Sequence, residues 1–362
     1  MPGGTAAAAL GLARGLAMLD GEDGHLDVIG VTARHRDLPP EPWRPQLPLV
    51  SMPLPRPALY ETWHAARWPK VESASGPVDV VHATTLIVPP TAAPLVVTVH
   101  DLAFLDDRGR LTSRGNRFMR RGLDLAKRHA DVVVCSSEAT RRDCVDAGLD
   151  ESRLRVVLLG SDAPPAALEE IAAAKARFGL QRPYVAWVGT VEPRKNVGGL
   201  LRAFALVATD HPDHELVLIG PPGWGPQLDE LMVLLDAATR GRVRVLGFVG
   251  DDDRNALVAG AAAFCYPSLR EGFGLPVLEA MGQGTPVVTS AGTSTAEVAG
   301  TSGVLVDPVS PDAIAEGLRK VIDDDAFADR LSAAGRTRAR ELTWERSAAQ
   351  TRAVYDELSP RR

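Results

Sequence analysis

Ala263-Phe-Cys-Tyr-Pro-Ser-Leu-Arg-Glu-Gly-Phe-Gly-Leu-Pro-Val-Leu-Glu279 is the stretch on which the reading of the fold turns. Its first four residues are short and apolar, the pattern of a buried strand bounded by turn residues. Gly272 and Gly274 follow as a turn, and 274–282 has the composition of a helix. A strand, a glycine turn and a helix N-terminus together present free backbone N–H groups and the positive end of a helix dipole. Such a place suits phosphate or sugar hydroxyls. Two carboxylates, Glu271 and Glu279, bracket the turn. At about 3.6 residues per turn they are a little over two turns apart, so both are expected to face one cleft. A carboxylate there can accept two O–H bonds from a vicinal diol such as ribose. A plain surface turn before an ordinary helix would carry the same letters.

Outward from this stretch the pattern repeats. Apolar runs at 184–189, 215–219, 243–248, 263–266, 286–290 and 303–306 read as strands. Helical segments at 197–209, 227–238, 254–260, 274–282 and 312–323 stand between or after them. Continuous apolar strands alternating with helices predict a parallel sheet covered on both faces. The first half reads similarly. A helix over 6–19 follows the Gly3-Gly4 pair, then come strands at 25–31, 78–82, 95–100, 131–136 and 154–159, with a helix over 116–128. Residues 36–57 hold eight prolines and read as loop or polyproline rather than strand. A doubly wound lobe opens on a strand. None precedes the first helix, so the first strand is expected to be missing. The fold class is therefore α/β: two Rossmann-like lobes with parallel sheets, joined near 162–165.

Composition fits this. The chain has 362 residues, 45% hydrophobic and 24% charged, with a net charge of −6. That excludes disorder and argues against general nucleic-acid binding. Three cysteines without metal spacing fit a reducing compartment. No apolar run approaches the ~20 residues that span a bilayer, and no signal peptide is read at the start. A cytoplasmic location is expected.

Other stretches carry chemistry. Gly189-Thr-Val-Glu-Pro-Arg-Lys-Asn196 follows a strand. Arg194 as a fork and Lys195 as a point charge suit a diphosphate, although a solvated basic turn would look alike. His100 and Asp101 end the 95–100 strand. The histidine is expected at a carboxyl strand end, with Asp101 either orienting its imidazole or capping the next turn. His82 is a weaker candidate for the same rim. Residues 108–128 carry eight basic side chains against Asp124 alone. Arg114, Arg117 and Arg121 recur at helical spacing, so this face could meet an anionic lipid surface, or could simply be solvated. Asp251-Asp-Asp253 reads as a helix N-cap cluster rather than a metal site, and no metal site is expected.

Taken together, these motifs resemble the retaining family 4 glycosyltransferases of the GT-B fold, over about residues 78–357. The resemblance rests on Glu271–Glu279 with its Tyr266-Pro267-Ser268 lead-in, on 188–196, on Gly247-Phe-Val249 and on Val287-Val-Thr-Ser290. It implies an N-terminal acceptor lobe over 1–163, a donor lobe over 164–343 and a C-terminal helix, 344–358, crossing back onto the first lobe. It implies that Glu271 holds the donor sugar beside the N–H groups of Phe273, Gly274 and Leu275. Glu279 would hold the ribose, Arg194 and Lys195 with Gly189 the diphosphate, and Phe248 and Val249 the edge of the base. His100 becomes a catalytic candidate, and Gly3, Gly4, His82 and Asp101 candidates for an acceptor or donor loop. Many members carry an Arg where this chain has Thr190.

The expected activity is thus metal-independent transfer of a hexose, mannose, from a nucleoside diphosphate sugar to a hydroxyl acceptor, with no cofactor. The donor implied is GDP-mannose, and the acceptor is open between a soluble hydroxyl compound and a lipid-linked one at the inner membrane face. A non-catalytic nucleotide-sugar-binding protein and a sugar-nucleotide epimerase of the same fold stay open. A phosphorylase would need a lysine-bound pyridoxal that no motif supports. A nicotinamide dehydrogenase would need Gly-x-Gly-x-x-Gly after a strand, which is not found.

Overall fold

The computed structural model describes residues 4–19, 26–35, 37, 43–105, 112–224, 228–233 and 235–359. The chain forms two compact units, Met1–Gly160 with Leu342–Arg362, and Ser161–Glu341.

In the first unit, strands β1 (Gly30–Arg34) and β2 (Leu49–Pro55) form a parallel pair. Strands β3 (Val81–Ala83), β4 (Leu95–Val99), β5 (Val132–Cys135) and β6 (Leu154–Val156) form a parallel sheet in that order. All of β4 and β5 is buried, which is why they read as unbroken Val-rich runs. Two expectations are corrected here. The strand placed at 25–31 begins at Gly30, and His25 lies outside the described residues. The proline-rich stretch is not all loop, because β2 runs through Pro53 and Pro55. Among the described residues it has a single neighbour, and the register slips between Thr32 and Arg34 opposite these prolines. A missing N–H is tolerated at such an edge.

The helix Gly4–Leu19 is the first element among the described residues, and no strand precedes it there. It packs against the helix Trp344–Leu358. A Cβ on Gly11 would come within 2.1 Å of the Trp344 ring, and one on Gly15 within 2.4 Å of the Trp344 carbonyl oxygen. The two helices meet through these hydrogens-only positions.

The second unit holds β7 (Tyr184–Val188), β8 (Glu215–Ile219), β9 (Val243–Gly247), β10 (Ala263–Tyr266), β11 (Val287–Ser290) and β12 (Val304–Val306). All pairings are parallel, in the order β12-β11-β10-β7-β8-β9. The order reverses between β7 and β10, which makes that pair the topological switch point of a doubly wound sheet. Tyr184, Trp187, Phe204, Phe264 and Tyr266 fill the core. The helix expected over 227–238 is two pieces, Leu228–Met232 and Ala237–Arg240. Helices Leu168–Phe178, Ser294–Ala299 and Asp325–Glu341 add to those expected. Among the described residues, no helix is long and apolar enough to cross a membrane.

Candidate active site

The turn after β7 and the turn after β10 lie at the carboxyl ends of the two strands flanking the switch point. Their side chains form one network. Glu271 Oε1 accepts from Lys195 Nζ at 2.6 Å, lies 2.7 Å from the Ser268 hydroxyl and accepts from the Tyr266 hydroxyl at 3.1 Å. Its Oε2 accepts from Arg194 Nη1 at 2.7 Å. Lys195 Nζ also donates to the Tyr266 hydroxyl. On its other side Arg194 donates from Nε to Glu192 Oε2 at 2.9 Å. Two cations thus balance two carboxylates in a nearly dry place, where Glu271 is 8% exposed and Lys195 10%.

The electrostatics follow from this packing. Burial alone would raise the Glu271 carboxyl. The Lys195 and Arg194 charges, with hydrogen bonds from Lys195 and Ser268, outweigh it and hold the group at about 2. Burial lowers the Lys195 ammonium, and Arg194 pushes the same way against the pull of Glu271. Glu271 is therefore a fixed anion at neutral pH.

Backbone geometry sets the network. Asn196, at the end of the Arg194-Lys195 turn, has φ of 55°. Asn tolerates this left-handed conformation better than most residues. Its amide donates to the carbonyls of Pro267 (3.1 Å) and Pro308 (2.6 Å), tying the β7 turn to the β10 turn. The N–H of Leu269 donates to the Arg194 carbonyl at 2.7 Å. Gly274 caps the helix Leu275–Gln283 at φ of 107°, and a Cβ there would sit 2.7 Å from Thr295 Cγ2. Only glycine fits. Buried Phe273 leads into this N-terminus. Gly189 continues β7, its N–H donating to the Ile219 carbonyl at 2.9 Å.

Glu279 stands apart from this network. It is the fifth residue of its helix and keeps 30% of its side chain exposed, 3.9 Å from Arg254 Nη2. Arg254 pairs in turn with Asp251 at 2.7 Å. Burial raises the Glu279 carboxyl, Arg254 opposes this and Asp251 adds to it. Nearby in sequence Val249 is buried, whereas Phe248 is 59% exposed. The aspartates 251–253 are not the N-cap expected of them. Gly250 caps the helix Asp251–Ala259, and the three acids fill its first turn, where they complement the dipole.

In the first unit, His100 Nε2 lies 3.0 Å from the Thr84 carbonyl oxygen and donates to it, so Nδ1 carries the ring's lone pair. Asp101 caps the following turn through the Ala103 N–H at 3.0 Å. Burial lowers the imidazole, and the Thr84 bond and Asp101 oppose it. His82 is tied down inside the sheet. Its Nδ1 is 2.6 Å from the Tyr355 hydroxyl and its Nε2 is 2.7 Å from Thr98 Oγ1. Gly4 opens its helix with nothing within 4 Å of a Cβ placed there. Gly3 lies outside the described residues. Arg114 pairs with Glu61 at 2.9 Å, so it is set apart from Arg117 and Arg121.

The sequence reading gave no role to Glu192, Tyr266, Ser268, Arg254 or Thr84. The first three lie inside quoted motifs, and the adjacency of β7 and β10 supplies what the letters lack.

Residues 2–163 match the family model described as Glycosyltransferase Family 4, and residues 169–338 match Glycosyl transferases group 1. An O-antigen chain mannosyltransferase B of Escherichia coli is 32% identical over 282 residues, spanning 76% of this chain and 74% of the relative. The chain is a family 4 glycosyltransferase. A second relative of the glycosyltransferase is an MMP alpha-(1->4)-mannosyltransferase of Mycolicibacterium hassiacum, 30% identical over 307 residues, 79% of this chain and 72% of that one. Among solved structures, Anabaena HepE in complex with UDP and glucose superposes with a TM-score of 0.76 at 20% identity, over 99% of this chain and 97% of that one. WaaG, a glycosyltransferase involved in lipopolysaccharide biosynthesis, gives 0.72 at 19%, over 99% and 97%. These likenesses place the glycosyltransferase in the GT-B fold.

Proposed function

We propose that the glycosyltransferase moves mannose from GDP-mannose to a hydroxyl acceptor, with retention at the anomeric carbon and without a metal ion. The observation that carries this reading is a carboxylate held charged between two cations at the switch point, in front of a helix N-terminus. Mannose is supported by the names of the two relatives above.

In the reaction, the bond from the anomeric carbon to the leaving phosphate oxygen breaks. A bond to the acceptor oxygen forms on the same face, and the acceptor proton passes to the leaving phosphate. Charge grows on the diphosphate and must be stabilised where it develops. Lys195 has three N–H donors, and Glu271 and Tyr266 take two of them. The third, the Arg194 guanidinium and the N–H groups at Phe273, Gly274 and Leu275 serve the diphosphate side, and Gly189, its own N–H held by Ile219, borders it without a side chain. Glu271 accepts from the hydroxyls of the sugar. Glu279, the more accessible carboxylate, accepts from the ribose, and Phe248 and Val249 border the base. His100 is the first unit's candidate, presenting Nδ1 as an acceptor. The O-antigen chain relative supports a glycan chain as acceptor, and we propose that this acceptor is lipid-linked at the cytoplasmic membrane face.

The test is a thermal-shift panel of UDP-, GDP-, ADP- and dTDP-sugars, followed by anomeric analysis of the product. A donor at 100 times its dissociation constant adds about 2.7 kcal/mol. GDP-mannose is expected to stabilise most and to give an α-linked product. Preference for a uridine donor would overturn the mannose assignment, and an inverted product would overturn retention.

A further inference from the structure

The helix Ser113–His129 carries Arg117, Arg121, Asp124 and Arg128 along one stripe, at helical spacing. With Arg120, His64 and Leu125 they line a cavity of about 430 Å³ in the first unit. Arg114 and Arg120 have partners: Glu61 for the first, Asn116 and the Leu105 carbonyl for the second. Among the described residues, Arg117, Arg121 and Arg128 have no ion pair. Arg67 adds to the positive field: burial does most to lower the His64 and His129 imidazoles, and Arg121 with Arg67 at the first, Arg67 with Arg128 at the second, push the same way. Among the described residues, Asp124 is the only carboxylate in the lining.

Helix stability does not explain this arrangement. Like charges four apart on a helix repel. The first turn carries no acid, and of the three only Arg128, in the last turn, stands where the dipole favours a cation. His64 forms the inner wall. Its ring stacks on Phe118 at 4.1 Å, and its Nε2 accepts the Val88 N–H at 3.1 Å. The proton of the neutral ring is therefore on Nδ1, which is buried and, among the described residues, finds only the Phe118 backbone, in poor geometry.

We propose that this cavity is a phosphate-binding site, taking a phosphate group of a soluble phosphorylated compound or of an anionic lipid headgroup. Three exposed guanidiniums, without an ion pair among the described residues, line one concavity and offer it forked donors matched to phosphate oxygens. An anion there relieves the repulsion among them. The proposal is independent of the donor chemistry above, because every residue in it belongs to the first unit.

The test uses the full chain carrying Lys195→Ala, so that the diphosphate site of the second unit contributes little. Inorganic pyrophosphate is titrated by calorimetry. In parallel, vesicles of phosphatidylcholine with and without phosphatidylglycerol are co-sedimented at low and high salt. Arg117→Gln/Arg121→Gln/Arg128→Gln is expected to weaken the bound probe at least about tenfold, the loss of one charge-assisted contact or more. Arg114→Gln, outside the cavity, is expected to leave binding unchanged. Pyrophosphate binding identifies a soluble source, and binding of the anionic vesicles alone identifies a lipid. The triple variant is also expected to melt no lower than its parent at low salt, since repulsion is removed. Absence of binding to both probes, an equal loss in Arg114→Gln, or full binding in the triple variant overturns the site.

Discussion

Glu271 does two things whose energetics pull apart. It neutralises Arg194 and Lys195, and it is the group proposed to meet the sugar. Removing one partner of a buried ion pair leaves the other charge uncompensated and costs about 3–5 kcal/mol. Glu271→Ala is therefore expected to lower the stability of the second unit by that order, besides abolishing transfer. A phosphate anion can replace the lost carboxylate. A nucleoside diphosphate is thus expected to raise the melting temperature of Glu271→Ala more than that of the parent, and scanning calorimetry with and without ligand reads this. An equal or smaller rise would show that the diphosphate does not meet these cations. Much of this site was legible in the letters. Arg194, Lys195 and Glu271 were all named from residue type and position beside turns. Their mutual pairing was not, because Arg194 and Glu271 are 77 positions apart and only the β7–β10 adjacency joins them. The reading gave both cations to the diphosphate, whereas without ligand they hold Glu271 and, through Arg194, Glu192.

At the scale of elements, legibility tracked burial. Strands such as β4 and β8, buried at every position, announced themselves as apolar runs. β2 did not, because its prolines are tolerated only at the edge of a two-stranded sheet. The helix Asp325–Glu341 escaped because it buries only Leu331 and Gly335, too few positions to show a period. The contact of the first helix with the last was also silent in apolar pattern. Its signal is the Gly11 and Gly15 pair, four apart and so on one helix face. Gly15→Ala is expected to force the Trp344 backbone away and to destabilise the first unit by about 1–3 kcal/mol, the range for overpacking. Gly4→Ala, with open space, is expected to be neutral or slightly stabilising, since Ala is the better helix former. Urea midpoints of the two variants decide this, and equal midpoints would remove the close-contact account.

For the whole molecule, the two units are built to respond differently to acid. The first unit buries neutral histidines. Burial, with Arg121 and Arg67 nearby, lowers His64 to about 4, and burial with His100 nearby lowers His82 to about 4. A histidine held below its usual 6.5 contributes stability that is complete above pH 6.5 and is lost as pH falls toward 4, because the unfolded chain binds the proton first. Each is worth roughly 3 kcal/mol over that window. In the second unit the main depressed carboxylate is Glu271, whose contribution is present above pH 4.5 and lost only as pH falls toward 2. Glu279 works the other way: its raised carboxyl disfavours folding at neutral pH, and protonation relieves it. Acidification from pH 7 to 4 is therefore expected to open the first unit while the second still holds. Hydrogen exchange read by peptide reports each unit separately. Protection of β4 and β5 is expected to fall before that of β7 and β8. Replacing His82 by Asn is expected to cost stability at pH 7, through the lost contacts to Tyr355 and Thr98, yet to flatten the loss between pH 6.5 and 4. Simultaneous loss in both units, or an unchanged slope in the His82 variant, would show that these histidines do not set the acid limit.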